Sequence, residues 1–277
     1  MRLIAMTCLL LWMGGCQAEP DTVPNEAEDS TPSSEDGTAA PAVDEPDDGD
    51  DEEQSEAPAD PWKRVRDMLG FADIGALSFT VGTAEGVVFT HHKGGSTATT
   101  PYASASAIKW VTAAVILSLV EEGLMALEDN PQQYLEWWTS DPMDARSGVT
   151  IRQLLSFTSG LSGMPFGDGT PACLGDPDTT IDACAEEIYD RTFDFVPGEV
   201  YFYGPSHMQI LAAIAQAATG ESWVDIYQGR VAQPLGMNDT HYNWPSLTNP
   251  RLSAGAMTTL QDFQRFAEAM LTNSHWP

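Results

Sequence analysis

Basic side chains are scarce in this sequence. Lysine occurs three times in 277 residues, as Lys63, Lys93 and Lys109. Lysine and arginine together number 12 against 41 aspartates and glutamates, a formal net charge of −29. Phosphate recognition needs a basic face, so this charge argues against a nucleic-acid partner. It also disfavours docking on anionic lipid through charge. Long apolar runs are missing: no stretch reaches the ~18 apolar residues of a membrane span. Cysteine is rare as well, with four in all, too few for a disulfide scaffold of this size. What remains is a chain long enough for one sizeable core plus extras.

The charge is unevenly spread. Residues 17–60 hold 17 of the acidic side chains and neither lysine nor arginine. They also lack every aromatic residue, Leu, Ile and Met. Such a segment cannot bury enough apolar area to offset its ordering entropy, and self-repulsion extends it. The expectation is a disordered acidic linker, with binding of a cation or cationic partner as the lesser alternative. Residues 61–277 hold 24 acidic and 11 basic side chains, a net charge of −13. The extreme charge therefore belongs to a tail.

Residues 1–16 read as a targeting signal outside the fold. Arg2 gives the positive start, 3–13 are apolar, and Gly14, Gly15 and Cys16 follow. Small residues before a cysteine resemble the lipobox of bacterial lipoproteins, in which that cysteine carries the lipid. An ordinary signal peptide cut nearby is the alternative. The lipobox resemblance implies export and a lipid anchor on Cys16 in the bacterial cell envelope, and Gln17 leans towards the outer membrane. Cys8 goes with the signal, which leaves Cys173 and Cys184 in a polar, Gly/Asp-rich stretch. In an oxidising compartment they are expected to form a disulfide. Metal binding by the pair has no nearby histidine to support it.

Hydropathy periodicity predicts helices over 62–72, 106–122, 150–156, 181–189, 206–219, 222–232 and 258–272, and strands over 76–83 and 86–92 joined at Ala84-Glu85. The helix 106–122 is apolar nearly all round, which places it in a domain centre, and Gly123 ends it. The class is a helix-rich α/β (α+β) domain, although a two-stranded sheet is a poor core by itself.

Ser106-Ala107-Ile108-Lys109 opens that central helix. The spacing puts a hydroxyl and an amine on one face as neighbours. Serine is a weak nucleophile until a base takes its proton, and a lysine can be that base where burial and the positive end of a helix disfavour its charge. Thr112 and Ala113, three and four residues beyond Lys109, bring no carboxylate. The bland alternative is an N-cap serine followed by a snorkelling surface lysine. The histidines at 91, 92, 207, 241 and 275 show no ligand spacing, so no metal site is expected. No Gly-x-Ser-x-Gly elbow or phosphate-binding glycine loop occurs.

The chain resembles the serine β-lactamase-like hydrolases, a group holding class C β-lactamases, D-Ala-D-Ala carboxypeptidases and esterases. The resemblance rests on Ser106-Ala-Ile-Lys109 with Trp110-Val-Thr-Ala-Ala and Val120-Glu-Glu-Gly123. It continues in Thr150-Ile-Arg-Gln-Leu-Leu-Ser-Phe-Thr-Ser-Gly-Leu161, Pro197-Gly198 before Tyr201-Phe-Tyr203, Pro234-Leu-Gly-Met237 with Thr240, and Ser253-Ala-Gly255 with Asp262 and Phe266. It implies a β-lactamase/transpeptidase-like fold over about 62–273. It implies Ser106 as the acylated nucleophile, Lys109 as its partner and Tyr203 as a proton relay. Substrates would be β-lactams, D-Ala-D-Ala-type peptides or small esters, without metal or cofactor. Without the resemblance, Tyr203 reads as a core aromatic. Phe157 stands where the family usually has His. Pro205 stands where it has the Asn of Tyr-x-Asn, leaving Ser206 as the substitute substrate contact. The family's third motif, a Lys-Thr-Gly or His-x-Gly strand, does not occur up to Pro277. Losing its oxyanion donor would cost about 10²–10³ in rate and leave a sheet edge open. The expectation is a fragment or a shortened relative, and the alternative function is a non-catalytic cell-envelope binding or scaffold protein. The sequence carries no signal of oligomeric state.

Overall fold

The computed structural model describes residues 60–161, 169–191 and 193–272. The signal with Cys16, the acidic tail up to residue 59 and His275 lie outside them.

Alternation builds the first unit. Helix α1 (Lys63–Phe71) leads into the antiparallel pair β1 (Leu77–Thr83) and β2 (Gly86–Lys93), closed by a turn at Ala84-Glu85. Phe79, Val81 and Phe89 form the buried face, and Val65, Leu69 and Trp62 of the α1 segment cover it. Trp62 stacks on Phe89 with ring centroids 4.9 Å apart. Lys93 Nζ donates to the carbonyls of Gly70 and Ala72, at 2.9 and 2.6 Å, and so satisfies the open end of α1.

The main core forms around two helices. Strand β3 (Tyr102–Ala103) and a 3₁₀ turn (Ala105–Ala107) precede α2 (Ile108–Glu121), whose Ile108, Val111, Val115, Ile116 and Leu119 are fully buried. Helix α3 (Ile151–Leu155) starts at a capping box. Thr150 Oγ1 accepts from the Gln153 amide, and Gln153 Oε1 accepts from the Thr150 amide. Helix α4 (Ile181–Tyr189) is capped by Thr180. Helix α5 (Ser206–Thr219) is buried from Ser206 through Ala215 and packs against α2, α3 and α4. Helix α6 (Trp223–Tyr227) passes through a wide turn (Gln228–Ala232) into the single turn α7 (Gln233–Leu235). Strands β4 (His241–Tyr242) and β5 (Ala256–Thr258) follow, then α8 (Leu260–Thr272). Phe263 and Phe266 of α8 are buried, and Phe266 meets the Trp110 ring edge-on at 5.0 Å.

The strand count corrects the expectation of two strands followed by helices. A second antiparallel sheet, in the order β3-β5-β4, lies beside the first. Its strands have two or three residues, too short for an alternation pattern. Thr258 belongs to β5 and not to the last helix.

Cys173 and Cys184 form a disulfide with Cα atoms 5.3 Å apart, tying the turn Ala172–Gly175 to α4. The loop it closes is short. Replacing both cysteines by alanine is expected to lower stability by about 2–3 kcal/mol, read as a drop in the urea midpoint that reductant no longer affects.

Candidate active site

A strained residue sets up the Ser106 position. Ala105 has φ of +43°, in the left-handed region, which costs a non-glycine residue of order 1–2 kcal/mol. Its neighbours hold it there. The Ser104 amide and hydroxyl both donate to Ala256 O of β5, at 2.8 and 2.7 Å, and the Ala107 amide donates to Ser104 O. Ser106 is left exposed in the 3₁₀ turn that leads into α2, while Lys109, one turn on, is only 9 % exposed.

Lys109 Nζ lies 3.1 Å from Ser106 Oγ and donates to Ser253 O at 2.7 Å. Burial pushes its pKa down to about 8, and the nearby Arg251 guanidinium adds to the shift. About one lysine in ten is then neutral at pH 7, with a lone pair free to accept the serine proton. One turn further, Thr112 Oγ1 donates to Leu252 O at 3.0 Å and accepts from the Tyr242 hydroxyl at 2.8 Å. Two successive carbonyls of the 252–253 segment are thus fastened to one face of α2. The segment is tight. A Cβ on Gly255 would stand 2.2 Å from Trp244 O and 2.9 Å from Arg251 O, which explains the glycine of Ser253-Ala-Gly255.

The opposite wall carries Tyr203. Its ring centroid is 4.8 Å from Lys109 Nζ, so the ammonium meets an aromatic face. The segments 157–161 and 193–202 run together behind it. The Phe202 amide donates to Phe157 O, the Gly198 amide to Thr158 O and the Asp194 amide to Gly160 O. Gly160 has φ of +89°, and a Cβ there would lie 2.3 Å from Phe195 O, so the Thr-Ser-Gly stretch also needs its glycine.

The sequence model of the family described as Beta-lactamase matches residues 63–276. The chain belongs to the beta-lactamase family. This family member is 32% identical over 155 residues to Penicillin-binding protein 4 of Amycolatopsis lactamdurans, covering 54% of its own length and 39% of the relative's. It is 28% identical over 156 residues to Lovastatin esterase of Penicillium rubens, covering 50% and 38%. Among solved structures it is similar to a putative beta-lactamase from Bacteroides dorei, with a TM-score of 0.63 and 31% identity over 75% of this chain and 61% of that one. A TM-score of 0.64 at 17% identity to the hydrolase EstCE1 reflects the fold alone. These matches span about two fifths of the curated relatives' length.

In this beta-lactamase-family chain, three of the residues singled out from sequence meet in space: Ser106, Lys109 and Tyr203. Ser206 does not open onto solvent. It is buried in the first turn of α5 with its hydroxyl unpaired, so a substrate contact there requires movement of the residues above it. Pro205 is the N-cap of α5. The Ser253 carbonyl and Arg251 leave no local pattern in the sequence, since they lie 144 and 142 residues from Lys109, and Thr112, three residues beyond it, counts there only for bringing no carboxylate. No cluster of three His, Cys, Asp or Glu suited to a metal ion occurs among the described residues.

Proposed function

We propose that this beta-lactamase-family chain is an exported serine hydrolase that forms an acyl-enzyme at Ser106. The observation that carries the reading is a buried amine with a pKa of about 8 placed 3.1 Å from an exposed hydroxyl. Neutral Lys109 takes the Ser106 proton as Oγ adds to a substrate carbonyl carbon. The resulting ammonium is stabilised by the Ser253 carbonyl and the Tyr203 ring. The proton then passes to the departing oxygen or nitrogen, with Tyr203 as the relay. Water, deprotonated along the same route, releases the acid and restores Ser106. The acyl transfer balances without metal or cofactor. Substrates are β-lactams, D-Ala-D-Ala-type peptides or small esters. Similarity to both a penicillin-binding protein and an esterase supports this amide-and-ester range. The chain would act at the cell envelope, tethered through a lipid on Cys16 and the acidic linker.

The test is intact-mass analysis of the folded protein after exposure to a fluorescent penicillin and to p-nitrophenyl acetate, alongside Ser106→Ala. An adduct mapped to Ser106 and absent from the variant is expected, and its rate of loss separates hydrolase from trap. A folded wild-type chain that takes up neither reagent covalently would leave the non-catalytic binding or scaffold reading in its place.

A further inference from the structure

We propose that His207 is a positioning residue for this site, clamping the Phe202–Tyr203 peptide so that the Tyr203 ring stays against Lys109. The inference rests on the acyl-enzyme reading for its effect on rate, and on geometry alone for the clamp. His207 is the second residue of α5 and is 1 % exposed. Its Nε2 lies 3.0 Å from Phe202 O and its Nδ1 lies 3.1 Å from Ser159 Oγ. A carbonyl only accepts, so Nε2 carries the proton, and Nδ1 of the neutral ring accepts from the Ser159 hydroxyl. The Phe202 amide donates to Phe157 O at 2.8 Å. Phe202 is therefore held at both ends, and the next residue is Tyr203.

Phe157 gives a second line of argument. Its φ is +59°, one of two left-handed non-glycine residues among those described, and the other, Ala105, precedes Ser106. A bulky side chain in that conformation is strained and persists only where its surroundings fix it. The surroundings are the rings of His207 at 5.1 Å, Tyr203 at 5.1 Å and Tyr201 at 6.0 Å. Imidazole and strained phenyl together form the back of the Tyr203 wall. Burial, together with the charge of Lys109, pushes the His207 pKa down to about 4, against the opposing Phe202 bond. The imidazole is neutral at neutral pH and does not compete with Lys109 for the serine proton.

The experiment compares wild type, His207→Leu and His207→Gln. Leucine fills space but takes the donor from Phe202 O and the acceptor from the Ser159 hydroxyl, which still accepts from the Leu161 amide. Glutamine offers an N–H and an acceptor again. Two readouts are taken: the single-turnover rate and KM for p-nitrophenyl acetate, and hydrogen–deuterium exchange of peptides covering 199–204. His207→Leu is expected to slow acylation 10- to 100-fold, to move KM less than threefold, and to speed exchange in 199–204 at least tenfold with α2 and α8 unchanged. His207→Gln should recover most of both losses. Unchanged exchange in 199–204, or faster exchange with unchanged acylation, overturns the proposal. A KM change without a rate change does so too. If leucine prevents folding, His207→Asn, whose shorter amide cannot span both partners, takes its place: slower acylation together with faster exchange in 199–204 supports the clamp, and full activity with native exchange refutes it. If wild type itself forms no adduct, the acyl-enzyme reading fails, and the exchange data still settle whether His207 fixes the segment.

Discussion

Lys109→Met is expected to slow acylation of Ser106 at pH 7 by about 10²–10⁴-fold, the range supplied by a positioned general base. In wild type the acylation rate should rise with pH through a midpoint near 8, because burial first and Arg251 second lower the lysine pKa to that value. In Lys109→Met the rise should vanish. The same shift makes a stability prediction. The pKa is about 8 in the fold against the ordinary 10.5. Below pH 8 both folded and unfolded chains hold the proton, and the fold bears the whole penalty of a buried ammonium. Between pH 8 and 10.5 the unfolded chain binds more protons, so the contribution of Lys109 to stability rises with pH. Above 10.5 the penalty is gone. A shift of this size corresponds to about 3 kcal/mol. Methionine removes the charge but orphans the buried Ser253 carbonyl, an opposing cost of about 1–3 kcal/mol that does not depend on pH. Urea unfolding of both proteins at pH 7.5 and 10.5 isolates the titrating part. The difference should move in favour of wild type by about 3 kcal/mol. A difference that stays flat would mean that Lys109 titrates in the fold as an ordinary lysine, and the base assignment would lose its physical ground.

What could be read from sequence was local. The three-residue step from Ser106 to Lys109 brought the two groups together as drawn, and the all-round apolar helix behind them is buried as its pattern demands. Gly123, named as the stop of that helix, has φ of +72°. Thr150-Ile-Arg-Gln153 forms its capping box because both members lie within one turn. The long-range half was not legible. The carbonyl that holds Lys109 belongs to Ser253, brought to α2 by a three-stranded sheet whose strands are too short to leave a periodic trace. His207 was set aside for lack of ligand spacing, yet its partners are a hydroxyl 48 residues away and a main-chain carbonyl, which no side-chain spacing reveals. Ser206 reads as the substitute for the family's Asn because it follows Pro205, which stands in the Asn position. Helix α5 is buried all round at its start, so adjacency along the chain did not bring exposure.

Asn249→Leu is expected to be the most destabilising single change on the wall that holds Lys109. Asn249 is completely buried. Its Nδ2 donates to Cys173 O at 2.8 Å and to Asp176 O at 3.0 Å, and its Oδ1 accepts from Gln209 Nε2 of α5 at 2.8 Å. Gln209 in turn donates to Pro250 O and accepts from the Leu252 amide. One amide therefore joins the disulfide turn, α5 and the chain that runs into Ser253. Leucine keeps the heavy-atom count and branching of asparagine, so the change leaves no cavity, and its bulkier methyls add a packing cost to the polar loss. Three hydrogen bonds are lost together, at up to about 1–3 kcal/mol each where water cannot replace them, although the Cys173 carbonyl keeps the Asp176 amide and Gln209 Nε2 keeps Pro250 O. Coupling within one network makes the sum less than additive, so the expected loss is about 3–5 kcal/mol, or roughly 10 °C in Tm for a domain of this size. Asn249→Asp should fare no better, since a carboxylate accepts but cannot donate to the two carbonyls. The site should respond as well. With Gln209 released, the 250–253 segment loses part of its anchorage, and acylation of Ser106 should slow in the fraction that remains folded. A Tm drop of less than ~2 °C in Asn249→Leu would mean that water or a shifted backbone satisfies these groups, and that the Lys109 wall is held by Thr112 and the Gly255 turn alone.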